Sequence, residues 1–204
     1  MPKKKFNSLK NFYRESKHYI TAAGVGSIAR RYFVLNAFDG ALTFLGISMG
    51  SYVIGVRDPQ VIIAACLGAC LAMGISGFWG AYMAEKAERT RALKDLETAM
   101  FMNLKNTLLE KASKIATLWI AFVDGISPSI VTLTAITPFF LVYLGILNFE
   151  TGFYVSIALI LLMLFILGVF LGKISRENIF LQGVKMVAVG MVVATIFLLI
   201  NLIF

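Results

Sequence analysis

Two acids, Asp39 and Asp124, stand inside long apolar runs of this 204-residue sequence, and they are its residues best placed to do chemistry. An ionised aspartate near a bilayer centre costs about 2.5–3.5 kcal/mol, and its side chain is too short to reach far toward water. Each acid precedes a glycine, in Ala37-Phe38-Asp39-Gly40 and in Ala121-Phe122-Val123-Asp124-Gly125. Hydroxyls follow in both cases: Thr43 one turn beyond Asp39, and Ser127 and Ser129 beyond Asp124. Asn36 lies one turn before Asp39 on the same helical face. Two carboxylates with neutral oxygens can coordinate a hard or borderline divalent cation, or can accept and pass protons. The competing reading is that each acid is protonated and hydrogen-bonded inside a helix bundle. Packing alone, however, would be served as well by an apolar residue.

Softer donors follow one another at helical spacing in Cys66, Cys70, Met73 and Ser76. Thiolates and thioethers favour iron, copper or zinc over magnesium or calcium, although cysteine and methionine are also ordinary apolar filler. Further along, Glu85 and Glu88 form an E-x-x-E pair among Lys86, Arg89 and Arg91. The pair reads either as a cation collector at a pore mouth or as a solvated helix face. The single histidine, His18, suits an interfacial side chain better than a ligand. No nucleophile elbow, P-loop, H-E-x-x-H or CxxC occurs, so soluble-enzyme chemistry has no motif to rest on.

The elements that must position these residues are membrane spans. The chain is 59% hydrophobic and 15% charged, with mean hydropathy +0.82; soluble domains average about 45–50% apolar and about 25% charged. Five runs reach the roughly 20 apolar residues that a spanning helix needs: 32–56, 59–84, 115–147, 152–172 and 179–204. The expected fold is an all-α integral membrane protein of five transmembrane helices. Residues 1–31 suit an interfacial amphipathic helix, with Phe6, Leu9, Phe12, Tyr13 and Tyr19 among basic residues. Residues 85–114 suit a helical extension between the second and third spans, with Leu93, Leu96, Met100, Leu104 and Leu108 at helical spacing.

Charge sets the expected direction. Segment 1–31 holds eight Lys and Arg, segment 85–114 seven and the 173–177 loop two, whereas the intervening loops hold Arg57 alone. The dense segments fall on one side, so the expectation is a cytoplasmic N-terminus and an outside C-terminus, in the plasma membrane if the cell is prokaryotic. Lys185 then lies close enough to the inner boundary to snorkel. No cleaved signal peptide is expected. The net charge of +8 points to anionic lipid and not to nucleic acid. On this topology Asp39 and Asp124 lie at matching depths, roughly 10–14 Å in from the cytoplasmic ends of their spans.

Small residues indicate where helices meet. The second span repeats Ala64, Gly68, Ala72, Ser76 and Gly80 at four-residue intervals, with Ala65, Ala69, Gly77 and Ala81 on the adjoining row. Such ridges let backbones approach closely in lipid. With Gly46 and Gly50 of the first span, they nominate the first two helices as the core or as the seam of a homodimer. The fourth span, mostly Leu, Ile and Phe, is expected at the lipid-facing rim. The third span holds Gly125, Pro128 and Pro138, and its length of about 50 Å exceeds the hydrocarbon core of about 30 Å. A helix kinked or broken at Gly125 and Pro128 is expected there.

This layout resembles the vacuolar iron transporter family. The likeness is carried by residues 28–90: Arg30 and Arg31, then Asn36-Ala37-Phe38-Asp39-Gly40, then Ser76-Gly77-Phe78-Trp79-Gly80-Ala81-Tyr82 against a family run like S-M-x-x-G-E-Y. In the third span, Ile120-Ala121-Phe122-Val123 and Gly125 also look family-like. The resemblance implies a dimer that moves ferrous iron or manganese out of the cytoplasm in exchange for protons. It places Asp39 on the family's first-span aspartate, which lines the translocation path. The sequence departs from the family in three ways. Gly77 and Ala81 replace a methionine and a glutamate; the large Glu- and Met-rich cytoplasmic domain is reduced to 85–114; and Asp124 is an additional acid.

The resulting expectation is a non-enzymatic, homodimeric exporter of a divalent metal, which is its substrate and not a prosthetic group. Its candidate ligands are Asp39, Asp124, Thr43, Met73, Ser76, Glu85 and Glu88, and Asp39 and Asp124 also carry protons. The alternatives are a proton-linked carrier of lipid or small solute, a membrane-embedded aspartyl hydrolase using two carboxylates to activate water, and a non-transporting subunit.

Overall fold

The computed structural model describes residues 25–105 and 107–203. Five helices account for nearly all of them: α1 (Val25–Val53), α2 (Pro59–Met100), α3 (Leu108–Tyr143), α4 (Phe149–Ser175) and α5 (Ile179–Ile203). Each contains a stretch long and apolar enough to cross a membrane, and no strand occurs among the described residues. The chain is an all-helical, multi-pass integral membrane protein. This outcome follows from the solvent, since only a helix or a closed barrel satisfies every backbone N–H and C=O within hydrocarbon. The N-terminal amphipathic segment and His18 lie outside the described residues except for 25–31, which are the first two turns of α1.

The helix ends carry the chemistry that stops helices. After α1, Gly55 takes φ +80° and Val56 N–H returns to the Ser51 carbonyl, a left-handed cap that glycine supplies without steric cost. The Asp58 carboxylate accepts the Gln60 N–H and Pro59 takes the first helical position, so α2 starts with both of the usual N-terminal devices. Asn178 caps α5 in the same way, accepting the Phe180 and Leu181 N–H groups. The helix α2 then continues past the expected end of its span at Ala84 to Met100. Its 42 residues reach about 63 Å, twice the hydrocarbon thickness.

The described residues form two compact units, 25–33 with 76–125 and 34–75 with 126–203. In the first, Val25 and Ala29 of α1 pack on Ala116 and Ile120 of α3, with Ile28, Tyr32 and Val123 around them. Thr107 begins α3 in this unit, offering its hydroxyl to the Glu110 N–H. In the second unit, Gly40 of α1 lies against Pro128 of α3. A methyl group on Gly40 would come within 2.8 Å of the proline Cα. Phe44 and Phe139 pack tilted 6.4 Å apart beside this contact line, and Tyr52 stacks on Phe153 at 4.2 Å. A polar clasp closes the end of this unit: Arg57 lies over the Tyr52 ring and pairs with Glu150, which also accepts the Tyr52 hydroxyl proton.

Two expectations are corrected and a third is narrowed. First, α3 is helical without interruption through Gly125, Pro128 and Pro138, which removes the break expected there but not the kink. Each proline deletes one ladder bond, whereas a break would release several backbone groups at once into a medium that cannot satisfy them. The helix ends at Tyr143, and 144–147 form the turn to α4 around Gly145 at φ +74°. Second, α4 is not a purely lipid-facing helix. It buries Gly152, Phe153, Ser156, Ile160, Leu164, Leu167, Gly168 and Gly172 along one face, and 33% of its apolar window is buried against 11% for α5. The composition of α4 hid this because leucine suits lipid and core equally. Third, Gly46 and Gly50 of α1 receive the Phe197 ring of α5 within the protomer. They therefore seat a neighbouring helix, which is the first of the two roles expected of them, a place in the core.

Close backbone approach governs the α4–α5 pair. A methyl group on Gly168 would come within 2.7 Å of the Gly183 Cα, and one on Gly172 within 2.9 Å of the Ile179 Cα. Gly168→Ala is therefore expected to lower stability by about 1–3 kcal/mol, the usual cost of overpacking a tight contact. Gly26→Ala, which meets nothing within 4 Å, should not destabilise. Thermal unfolding of both variants in one detergent checks this, and equal melting temperatures would contradict the close contact.

Candidate ion-conducting site

Asp39 lies on the exposed face of α1 in the protomer, and among the described residues nothing hydrogen-bonds or ion-pairs with it. Its orientation is held from the next residue. Gly40 is buried against the α3 backbone at Pro128, so α1 cannot turn about its axis there without driving that contact apart. The Asp-Gly pair thus divides its work. Glycine fixes the face of the helix, and aspartate occupies the face that remains open. One turn further, the Thr43 hydroxyl donates to the Met73 sulfur of α2 at 3.5 Å. Two of the predicted ligands are therefore in contact, an oxygen and a thioether one turn beyond the acid.

Cys70 and Ser129 are joined in the same unit, with the Cys70 thiol donating to the Ser129 hydroxyl at 3.3 Å. Cys66, one turn away, is buried at 1% exposure. Both cysteines are free thiols. Cys70 spends its proton on a neighbouring helix, so these two residues serve packing within the protomer.

Asp124 is buried, at 3% exposure. It faces Gly77 of α2: a methyl group there would lie 3.2 Å from the Asp124 Oδ2 and 3.5 Å from its carbonyl oxygen. Pro128, four residues on, has no N–H to return to that carbonyl. Two oxygens of one residue thus converge on a position where α2 has no side chain. Spacing alone did not reveal this partnership. Gly77 is visible as one of a row of small residues, but which oxygen a small residue makes room for depends on the rotation of α3.

The remaining predicted residues are placed differently. Ser76 is exposed on the surface of α2 together with Ala64, Gly68, Ala72 and Gly80. A methyl group on Gly68 or Gly80 would meet nothing within 4 Å, so the strict four-residue ridge is not consumed by packing inside the protomer. The Glu85 carboxylate is committed to Arg89 one turn on, at 3.1 Å with both side chains largely buried, and Glu88 is exposed. Among the described residues, no three of His, Cys, Asp and Glu converge on one point.

Comparison with known proteins adds two findings. A family model described as the VIT family matches residues 91–201, covering the end of α2 and nearly all of α3, α4 and α5. These are the parts of the chain outside the motif run at 28–90 that carried the resemblance. The chain is also 39% identical over 172 residues to the uncharacterized protein MJ0645 of Methanocaldococcus jannaschii, covering 83% of this chain and 86% of the relative.

The two glycine contacts predict different costs. Gly40→Ala meets backbone and is expected to lose about 1–3 kcal/mol of stability. Gly77→Ala meets the end of a side chain that can swing and should cost less, while displacing the Asp124 carboxylate. Thermal unfolding of the two variants side by side checks the order, and a larger loss for Gly77→Ala would contradict it.

Proposed function

This chain belongs to the VIT family, and we propose from that premise that it exports a divalent metal cation of the iron or manganese class from the cytoplasm in exchange for protons. The observation that carries the reading is the exposed Asp39 on a membrane-spanning helix. An acid cannot face hydrocarbon cheaply. Its surface must be covered by protein or by a watery path, and a path for cations is the use that rewards an acid there.

The coarser part of this reading, a multi-pass protein of a transporter family, rests on the family match and the five spans. The finer part rests on donor chemistry. Asp39 and Thr43 are oxygen donors and Met73 is a thioether, and the Thr43–Met73 contact holds the last two together. Carboxylate with hydroxyl suits manganese, and adding a thioether shifts preference toward softer ions such as ferrous iron. Asp39 binds the cation and exchanges it for a proton. Asp124, a buried acid with its carbonyl beside it, is the second proton acceptor and cation ligand. Glu85 and Glu88 mark the cytoplasmic entry, and Arg89 holds the first of them in place.

The working unit is a homodimer joined through α1 and α2. What supports this is that Asp39 of α1 and the small-residue ridge of α2 are each left open in the protomer. Facing copies would cover the acid and let two α2 backbones approach closely. The N-terminus is cytoplasmic by the distribution of Lys and Arg.

The test is metal flux into proteoliposomes under a pH gradient. Asp39→Asn is expected to reduce Fe²⁺ or Mn²⁺ flux by about tenfold or more, the scale on which metal sites respond to altered ligand surroundings. Asp124→Asn is expected to uncouple flux from the gradient. Wild-type flux in both variants would overturn the assignment.

A further inference from the structure

On the densely basic side of the protein, α2 and α3 line a cleft to which none of the candidate metal ligands contributes. It measures about 370 Å³, and its walls include Tyr82, Lys86 and Thr90 of α2 with Ser113, Lys114 and Thr117 of α3. All six belong to one compact unit. The depth of the cleft can be read from the chain. The uncharged run of α2 ends at Ala84, and that of α3 begins at Ile115. The cleft therefore straddles the level where both helices pass from hydrocarbon into headgroups.

Its chemistry suits an oxyanion and excludes a divalent cation. Two ammonium groups and four hydroxyls, including that of Tyr82, line it against one carboxylate, Glu110, which is paired with Lys114 at 2.7 Å. The Lys86 ammonium lies 5.5 Å from the centre of the Tyr82 ring, and among the described residues it has no acidic partner. Lys86 and Thr90 also line an adjoining cleft of about 480 Å³ with Arg91 and Lys94, which adds to the positive potential. On the apolar side of the same helices, Trp79, Met83, Leu118, Trp119 and Phe122 are exposed, and aromatic side chains are at home at the interface. The arrangement is a cationic, hydroxyl-rich seat at headgroup height with greasy surface leading away on one side.

We propose that this cleft binds the phosphate of an anionic phospholipid, held between Lys86 and Lys114 with hydroxyl donors from Thr90 and Ser113, its acyl chains lying on the exposed apolar faces of α2 and α3. Basic pockets between spanning helices are the usual seats of anionic headgroups. The site itself does not depend on the transport reading. Only its assignment to the cytoplasmic leaflet rests on the orientation given above.

The experiment is native mass spectrometry of the full-length protein in neutral detergent, titrated with phosphatidylglycerol or phosphatidylcholine. Wild type is expected to retain phosphatidylglycerol preferentially, with roughly a fivefold contribution from each lysine. Lys86→Gln with Lys114→Gln should abolish the preference, and Lys86→Arg with Lys114→Arg should keep it. Lys173→Gln with Arg176→Gln, which removes equal charge at the end of α4, should also keep it. Equal retention of the two lipids by wild type would overturn the proposal. So would an unchanged preference in the glutamine pair, or an equal loss in the α4 control. Inorganic phosphate added at millimolar concentration separates the two sources of the anion. Failure to displace the lipid fits a headgroup site, whereas saturating displacement with thermal stabilisation in the absence of lipid would assign the cleft to free phosphate and overturn the lipid assignment.

Discussion

Helices in hydrocarbon gain little by hiding their apolar side chains from one another, because lipid is as apolar as leucine; what joins them is how closely their backbones can approach. The fold of this protein depends on that constraint. Gly40 admits the α3 backbone at Pro128, Gly168 and Gly172 admit α5, and Gly46 and Gly50 admit the Phe197 ring. Larger residues fill the spaces between these contacts, as Phe44 and Phe139 do. At several of these sites a single added methyl group would have to displace backbone, so helix position and rotation are set together.

Rotation is what gives the acids their meaning. Asp39 and Gly40 are adjacent, so the glycine contact decides which way the aspartate faces, and that way is outward from the protomer. Asp124 is treated in the opposite manner: it is enclosed, and α2 yields space to it at Gly77. Two acids with similar local sequences therefore have different surroundings. An open acid meets whatever covers the protomer, whereas an enclosed acid meets only its fixed neighbours.

The basic side of the molecule obeys different physics. There α2 and α3 extend beyond the span, and Lys86, Arg89 and Lys114 stand where the dielectric rises. Of the three, Arg89 is tied tightly to Glu85 with both side chains largely buried, and Lys114 reaches Glu110 from a mostly exposed position. Among the described residues Lys86 has no acidic partner and lies over the Tyr82 ring, which leaves the cleft net cationic.

Much of this was legible in the residues themselves. Five spans and the helical extension of α2 follow from local composition, because hydrocarbon demands helices. The two buried-run acids were legible for the same reason, since a charge in an apolar run stands out without any knowledge of its neighbours. Rotation and partner choice were not. Leucine and isoleucine hid the packed face of α4, the core and seam roles of Gly46 and Gly50 could not be told apart until Phe197 was seen against them, and Gly125 and Pro128 admitted a break although α3 runs through them. The burial of Asp124 opposite Gly77 and the exposure of Asp39 were decided by tertiary structure alone, because an apolar helix has no preferred face until a neighbouring backbone selects one.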